Sequence, residues 1–293
     1  MKKSVRILLV IVALALSGVA YVYVTLRGPA HQGRPITAWL EQLASPKLDQ
    51  RATAREALRQ MGPTAYNYLL KQFNFQESEL NTRVTLLFGL PYENQLARRL
   101  NAVRGFRALG EVADPAVPKL VVLLNDNETC MYAADSLGGV GKGAVPALTP
   151  LLEQGSANAK LGAATAMIAI GPDAQPAIPG LLKCLKDQDT NLREAAARAL
   201  GAIGKEPEKV VPPLIEALAD ESNRVRARAA EAVGKFGKDA VAALPALEKL
   251  ARLRVQEVPV AALDAIRNID PERAAAVEKS LPPPPPAPPG GAP

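Results

Sequence analysis

A six-residue pattern returns down the chain and leaves few folds open. It reads Ala-Leu-Gly-Ala-Ile-Gly at 199–204, Ala-Val-Gly-Lys-Phe-Gly at 232–237 and Ser-Leu-Gly-Gly-Val-Gly at 136–141. Further copies stand at 57–62, 108–113, 166–171 and 265–270. They end at residues 62, 113, 141, 171, 204, 237 and 270, in steps of 51, 28, 30, 33, 33 and 33. That makes seven units with an insertion after the first. A fixed period of this length is the mark of stacked repeats, in which no unit buries its apolar face alone.

The pattern within a unit is helical. Eight residues before each end stands a small residue: Ala54, Gly105, Ala133, Ala163, Ala196, Ala229 or Ala262. Five before stands Ala57, Ala108, Ser136, Ala166, Ala199, Ala232 or Ala265. The positions four and one before the end are mostly large and apolar, as in Leu200 with Ile203 and Val233 with Phe236. These spacings fall on one helical stripe. Small residues admit a neighbouring helix and large ones fill the seam. The closing Gly is expected just past a helix end.

A second helix is expected in each unit. It opens on Ala116-Val117-Pro118, Ala144-Val145-Pro146, Ala177-Ile178-Pro179, Val210-Val211-Pro212 or Ala243-Leu244-Pro245. Proline suits a first helical turn, where its missing N–H is no loss. The loops 125–128, 187–189 and 220–223 are rich in Asp, Asn and Ser and are expected to cap the next first helix.

These residues resemble HEAT repeats, specifically the short kind of phycobilisome-lyase-like proteins. The likeness rests on Asp-x-Asp-x-x-Leu-Arg-x-x-Ala-Ala-x-Ala-Leu-Gly-x-Ile-Gly at 187–204 and its counterpart at 220–237. The arrangement also resembles exported HEAT-repeat proteins of the Verrucomicrobia, with a Gly-Arg-Pro-x-x-x-Trp-Leu-x-x-Leu element at 33–43. The resemblance implies an all-α fold, a right-handed α-α superhelix of the HEAT/armadillo kind, over residues 36–281. It also implies an Arg in each unit. That Arg stands at Arg51, Arg193 and Arg226, and is replaced by Ala102, Cys130, Lys160 and Pro259 elsewhere. A ladder of Asp–Arg pairs between units is therefore expected to be incomplete.

Residues 1–26 read as a membrane segment. Ile7–Leu26 is a run of 20 residues without a formal charge, enough for a helix to span about 30 Å. Lys2, Lys3 and Arg6 precede it, which holds the N-terminus in the cytoplasm and sends the body across. An uncleaved anchor gives a single-pass protein of a bacterial inner membrane with a periplasmic body. The alternative is a signal peptide cleaved near Gly18-Val19-Ala20, which gives a secreted body. Residues 27–35 read as a flexible stalk, and Thr37 as the cap of a short helix holding Trp39, Leu40 and Leu43. Residues 74–97 form the insertion, either a locally packed helix and loop or a protruding binding loop. Residues 271–281 read as a closing helix. Residues 282–293 hold eight prolines and read as polyproline II or disordered.

Charge and composition narrow the function. The net charge is +6, but residues 1–35 supply +5 of it and the rest of the chain +1. A near-neutral body gives no field for nucleic acid, so DNA binding like that of HEAT-like glycosylases is not expected. One His cannot supply the paired His–Glu metal motifs of deoxyhypusine hydroxylases, and with two Cys it nearly excludes a Cys/His zinc site, which needs four ligands or, when catalytic, three.

Each residue with latent chemistry has a plainer reading. His31 lies in the stalk, without the rigid pocket a base needs. Cys130 and Cys184 read as small core residues, with a disulfide as the alternative. Arg98, Arg99, Arg104 and Arg107 read as a solvated face, as do Arg224, Arg226 and Arg228, with a phosphate or acidic-partner site as the alternative. Gly138, Gly139, Gly141, Lys142 and Gly143 imitate a phosphate loop but follow no strand. Asp187 and Asp189 read as helix caps rather than calcium ligands.

No catalytic, metal-binding or cofactor-binding residue is assigned, and no cofactor or small-molecule substrate is expected. The binding residues are not identified. The expected function is a membrane-anchored interaction scaffold that binds a protein or peptide on the concave face of the solenoid. The alternatives are a lyase-like HEAT enzyme and a nucleic-acid binder.

Overall fold

The computed structural model describes residues 28–75, 93–253 and 257–281. The chain divides into two compact units, 1–170 and 171–293. The described part of the first opens on an antiparallel hairpin, β1 (Ala30–His31) and β2 (Arg34–Pro35). There follow α1 (Ile36–Gln42), α2 (Leu48–Met61), α3 (Pro63–Phe73), α4 (Gln95–Leu109), α5 (Val117–Leu123), α6 (Cys130–Val140), α7 (Val145–Leu148), α8 (Leu151–Gln154) and α9 (Ala157–Ile170). Here α2, α4, α6 and α9 are first helices of repeats. Helix α4 packs on α6, and α6 on α9.

The second unit holds α10 (Ile178–Cys184), α11 (Thr190–Ile203), α12 (Pro207–Ala217), α13 (Asn223–Gly234), α14 (Leu244–Ala251), α15 (Val258–Ile269) and α16 (Pro271–Ser280). The first helices α11, α13 and α15 pack in succession. Helix α16 is the closing helix expected from the sequence.

The helix ends correct the phase of the second repeat. Positive φ occurs at Gly62, Gly141, Gly171, Gly204 and Gly237, as the pattern requires. In the second repeat it falls at Gly110 (φ 58°), three residues before the expected Ala113. A residue with a Cβ is disfavoured at such a φ, so the glycine fixes the end.

Counted from Gly110, the position eight before each end is Ala54, Ala102, Ala133, Ala163, Ala196, Ala229 or Ala262, and every one is fully buried. The position four before is Leu58, Phe106, Leu137, Met167, Leu200, Val233 or Ile266, again fully buried throughout. These two rows form the apolar seam of each unit. Burying a side chain such as Leu200 contributes about 1.5–3 kcal/mol.

Small residues set the helix spacing. A Cβ on Gly201 of α11 would lie 2.7 Å from the Ala232 Cα of α13. One on Gly234 of α13 would lie 2.9 Å from the Ala265 Cα of α15. Backbones in such contact leave no room for a methyl group.

Several local expectations change. Residues 30–35, expected within a flexible stalk, form the hairpin, with Gln32 and Gly33 both at positive φ in its two-residue turn. That is the turn whose twist suits paired strands. Thr37 is not a cap. Helix α1 starts from Pro35, and the Ile36 N–H is taken by the Pro29 carbonyl at 2.8 Å.

The Val210-Val211-Pro212 element does not open its helix, because α12 starts at Pro207 and carries Pro212 and Pro213 inside it. Elsewhere the proline stands in the first turn as expected, at Pro118, Pro146, Pro179 and Pro245.

Capping is split. Asp189 caps α11 through the Asn191 N–H at 2.8 Å. At α13 the N-terminal Ser222 makes no cap, and Asp220 instead accepts the Ser222 N–H at 2.8 Å. Asp126 likewise accepts the N–H groups of Glu128 and Thr129 ahead of α6.

The expected membrane span, most of the insertion (76–92) and the Pro-rich tail lie outside the described residues. Among the described residues no helix is long and apolar enough to cross a membrane.

Candidate interaction surface

The residues with latent chemistry are mostly used in holding repeats together. His31 sits in β1, where its Nε2 lies 3.1 Å from Gln60 Oε1 and its carbonyl accepts Trp39 Nε1 at 3.4 Å. Its hydrogen-bonded partner is an amide, so no carboxylate orients the ring as a base.

Cys130 begins α6 and Cys184 ends α10. Both are buried and neither is in a disulfide. Burial, with the Asp126 charge, pushes the Cys130 thiol up.

In the glycine-rich stretch, Gly138 packs on α9, where an added Cβ would meet the Ala169 Cβ at 2.6 Å. Gly139 packs on α4, where an added Cβ would come within 2.8 Å of the Arg107 Cα. These glycines serve close helix contacts. Asp187 accepts the Asp189 N–H at 3.0 Å, a local turn bond. Among the described residues no group of three or more His, Cys, Asp or Glu could hold a metal ion.

The first arginine group is not one solvated face. Arg98 is buried, donates to Gln72 Oε1 at 3.0 Å and stacks 3.9 Å from the Phe75 ring. Arg99 donates to the Phe73 carbonyl at 3.2 Å and to Glu128 Oε2 at 3.0 Å, joining the chain before it to the repeat after it. Only Arg104 and Arg107 of this group are exposed, and Arg107 pairs with Asp135 at 3.5 Å. The corrected phase explains Arg99: it stands eleven residues before Gly110, at the position of Arg193 before Gly204. Counting from Ala113 instead puts Ala102 at that position.

Arg193 is the centre of a junction in the second unit. Its Nη1 donates to the carbonyls of Asp187 and Gln188, both at 3.0 Å. Its Nε and Nη2 grip Asp220 at 2.8 and 3.1 Å, and Nη2 also meets Glu221 at 3.0 Å. Arg226 repeats the inner half of this arrangement on the carbonyls of Asp220 and Glu221, at 2.6 and 3.3 Å. Leu253 stands where the next Asp would be, seventeen residues before Asp270, so the carboxylate rung does not recur there.

The face of α11, α13 and α15 beside this junction is largely charged, with Val260 of α15 exposed among the charges. Glu194 of α11 is nearly buried between Arg224 and Arg228 of α13, and Arg228 also bonds Glu231 at 2.7 Å. Beside it a groove of about 520 Å³ runs between α13 and α15. Arg228, Glu231, Lys235, Glu257, Asp264 and Asn268 line it with both signs of charge.

The first unit exposes more large apolar side chains on its first helices. Leu96 and Leu100 on α4 are 53% and 42% exposed, and Met131 on α6 is 48% exposed. Leu100 and Met131 both stand ten residues before their repeat's closing glycine, so adjoining helices present large apolar side chains at one register. Sequence reasoning had not singled these residues out. The signal was present but hidden, because the misplaced second repeat put Leu100 and Met131 out of phase.

Residues 178–267 match the family model described as HEAT repeats. No curated protein is significantly similar to the chain. Several solved structures are similar. A designed armadillo repeat protein in complex with the peptide (KR)4 is 19% identical, covering 80% of this chain and 99% of that one, with a TM-score of 0.43. The complex of CpcE and CpcF of phycocyanin lyase from Nostoc sp. PCC7120 is 25% identical over 86% of this chain and 97% of that one, with a TM-score of 0.41. An engineered protein is 18% identical over 80% and 98%, with a TM-score of 0.45. The family match places HEAT repeats in residues 178–267, and first helices of the same pattern recur in the described part of both units.

Proposed function

We propose that the chain is a non-catalytic interaction scaffold, tethered to a bacterial inner membrane by Ile7–Leu26 with its repeats in the periplasm. Cleavage of that segment would give the same scaffold as a secreted body. The partner is a protein or peptide. The apolar run and its flanking charges support the tether.

One observation carries the binding role: the exposed apolar side chains Leu96, Leu100 and Met131 on the packed helices α4 and α6. A contiguous apolar patch rimmed by polar residues marks a contact surface. The other surface open to a partner is that of the second helices. Among the described residues of this unit's second helices, only Val122 is a comparably exposed large apolar side chain. The first-helix face is therefore the better surface.

The test is recovery of a partner from detergent-solubilised native membranes, using the full chain tagged after Pro293. The L100E/M131E double variant, checked by circular dichroism to remain helical, is the comparison. A stoichiometric protein recovered by the native chain and lost by the variant supports the reading. Equal recovery by both removes the proposed surface, and recovery of no protein by either removes the scaffold.

A further inference from the structure

The described body begins two residues after the apolar run. The run ends at Leu26, and Gly28 is already packed into the body. Gly28 has φ +67°, and a Cβ there would lie 2.8 Å from Ile36 Cγ2 and would strike the Tyr68 ring of α3. The Pro29 carbonyl accepts the Ile36 N–H at 2.8 Å. Ala30 and His31 pair with Pro35 and Arg34. The Arg34 guanidinium lies 4.2 Å from the Trp39 ring, and His31 reaches Gln60 of α2.

A free stalk over 27–35 would let the body stand roughly 25–30 Å away from the end of the run, at about 3.3 Å per residue. Two residues, from Leu26 to Gly28, reach about 7 Å at most.

Charge points the same way. Residues 28–75 carry six basic and three acidic side chains. Residues 93–170 carry seven of each, and residues 171–281 seventeen of each. The positive excess of residues 28–281 outside the insertion thus lies in the segment that adjoins the apolar run, with Lys47, Arg51, Arg55 and Arg59 on or just before α2. Within it Arg34 on the hairpin is exposed, as is Lys71, one turn beyond Tyr68 on α3.

We propose that this end of the first unit, the hairpin with α3, rests on the lipid headgroup layer without a hinge, with Arg34 and Lys71 toward anionic headgroups. The inference rests on the reading of Ile7–Leu26 as a membrane span and adds an orientation to it. A body fixed in this way holds the face of α4 and α6 at a set angle to the bilayer instead of swivelling on a tether.

Trp39 is the only tryptophan, so its fluorescence reports on this joint alone. The experiment places the full chain in nanodiscs containing headgroup spin-labelled lipid. It compares the native chain with one carrying a flexible Gly-Ser linker of about twelve residues between Arg27 and Gly28. In neutral lipid the native chain loses Trp39 emission to the label and the linker variant does not. Anionic lipid at low salt restores quenching in the linker variant, and salt or K71E removes it again.

Equal quenching of both chains in neutral lipid overturns the hinge-free joint while leaving the span intact. Quenching of the linker variant that does not respond to anionic lipid overturns the headgroup contact. A native chain that fails to migrate with the nanodiscs overturns the span and the inference together.

Discussion

Arg193 holds Asp220 by two parallel hydrogen bonds, Nε to Oδ2 at 2.8 Å and Nη2 to Oδ1 at 3.1 Å, and so fastens one HEAT repeat to the next. The two side chains are only 8% and 11% exposed. A forked guanidinium matches a carboxylate in this way where an ammonium cannot. The same arginine closes the turn behind it through the Asp187 and Gln188 carbonyls. Losing it frees three groups at once, which raises its cost above that of a surface pair.

R193A is expected to lower unfolding stability by about 2–3 kcal/mol, since it strands a nearly buried carboxylate and two carbonyls. R193K should recover only part of the loss. Urea denaturation followed by circular dichroism measures both. A loss for R193A within the error of the method would show that the junction is ornamental.

The Asp220 carboxyl sets a pH dependence. Burial alone would raise its pKa. The Arg193 hydrogen bonds, the Ser222 N–H and the charges of Arg193 and Arg226 outweigh burial and hold it below the usual range. A carboxyl depressed in the folded state adds stability above its unfolded pKa, near 4, and that stability fades as pH falls through the lower folded value. D220N cannot titrate there. The gap in urea midpoint between native chain and D220N should be constant above about pH 5 and narrow below about pH 4. A gap of constant size down to pH 3 would contradict this.

Close helix contact, not helix propensity, should govern Gly201. In an exposed helix interior Gly to Ala gains about 1 kcal/mol. Here the new methyl group would meet the Ala232 backbone at 2.7 Å. We expect G201A to be destabilising by about 1 kcal/mol or more, and G201V by more again. Thermal unfolding of the two variants decides the matter, and a rise in Tm for G201A would mean that α11 and α13 part easily.

The cysteines give a test that needs no mutation. Cys130 and Cys184 are 5% and 3% exposed, and burial raises the Cys130 thiol further from its reactive form. In the native chain both should resist a thiol reagent such as dithionitrobenzoate, and in denaturant two thiols per chain should react. Fewer than two after unfolding would restore the disulfide alternative.

The sequence by itself determined the repeat. The alanine row, the large apolar row and the glycine ends follow from helical periodicity, which is local and survives in a single chain. Helix α16 and the prolines at 118, 146, 179 and 245 were legible for the same reason. Tertiary structure alone decided where periodicity was ambiguous or silent. The triplets Ala102-Gly105-Phe106 and Gly105-Ala108-Leu109 both suit a helical stripe, and only the backbone turn at Gly110 chose between them. Arg98 and Arg99 are adjacent to exposed arginines in sequence, yet they are buried or nearly so by Gln72, Phe75 and Glu128, residues more than twenty positions away. The hairpin at 30–35 likewise rests on contacts with Trp39 and Gln60, and the Gly28-Pro29 step before it on Ile36 and Tyr68, that no local propensity encodes. Local pattern fixes which residues share a helix face. The partner that covers that face, and the solvent it excludes, come from parts of the chain remote in sequence.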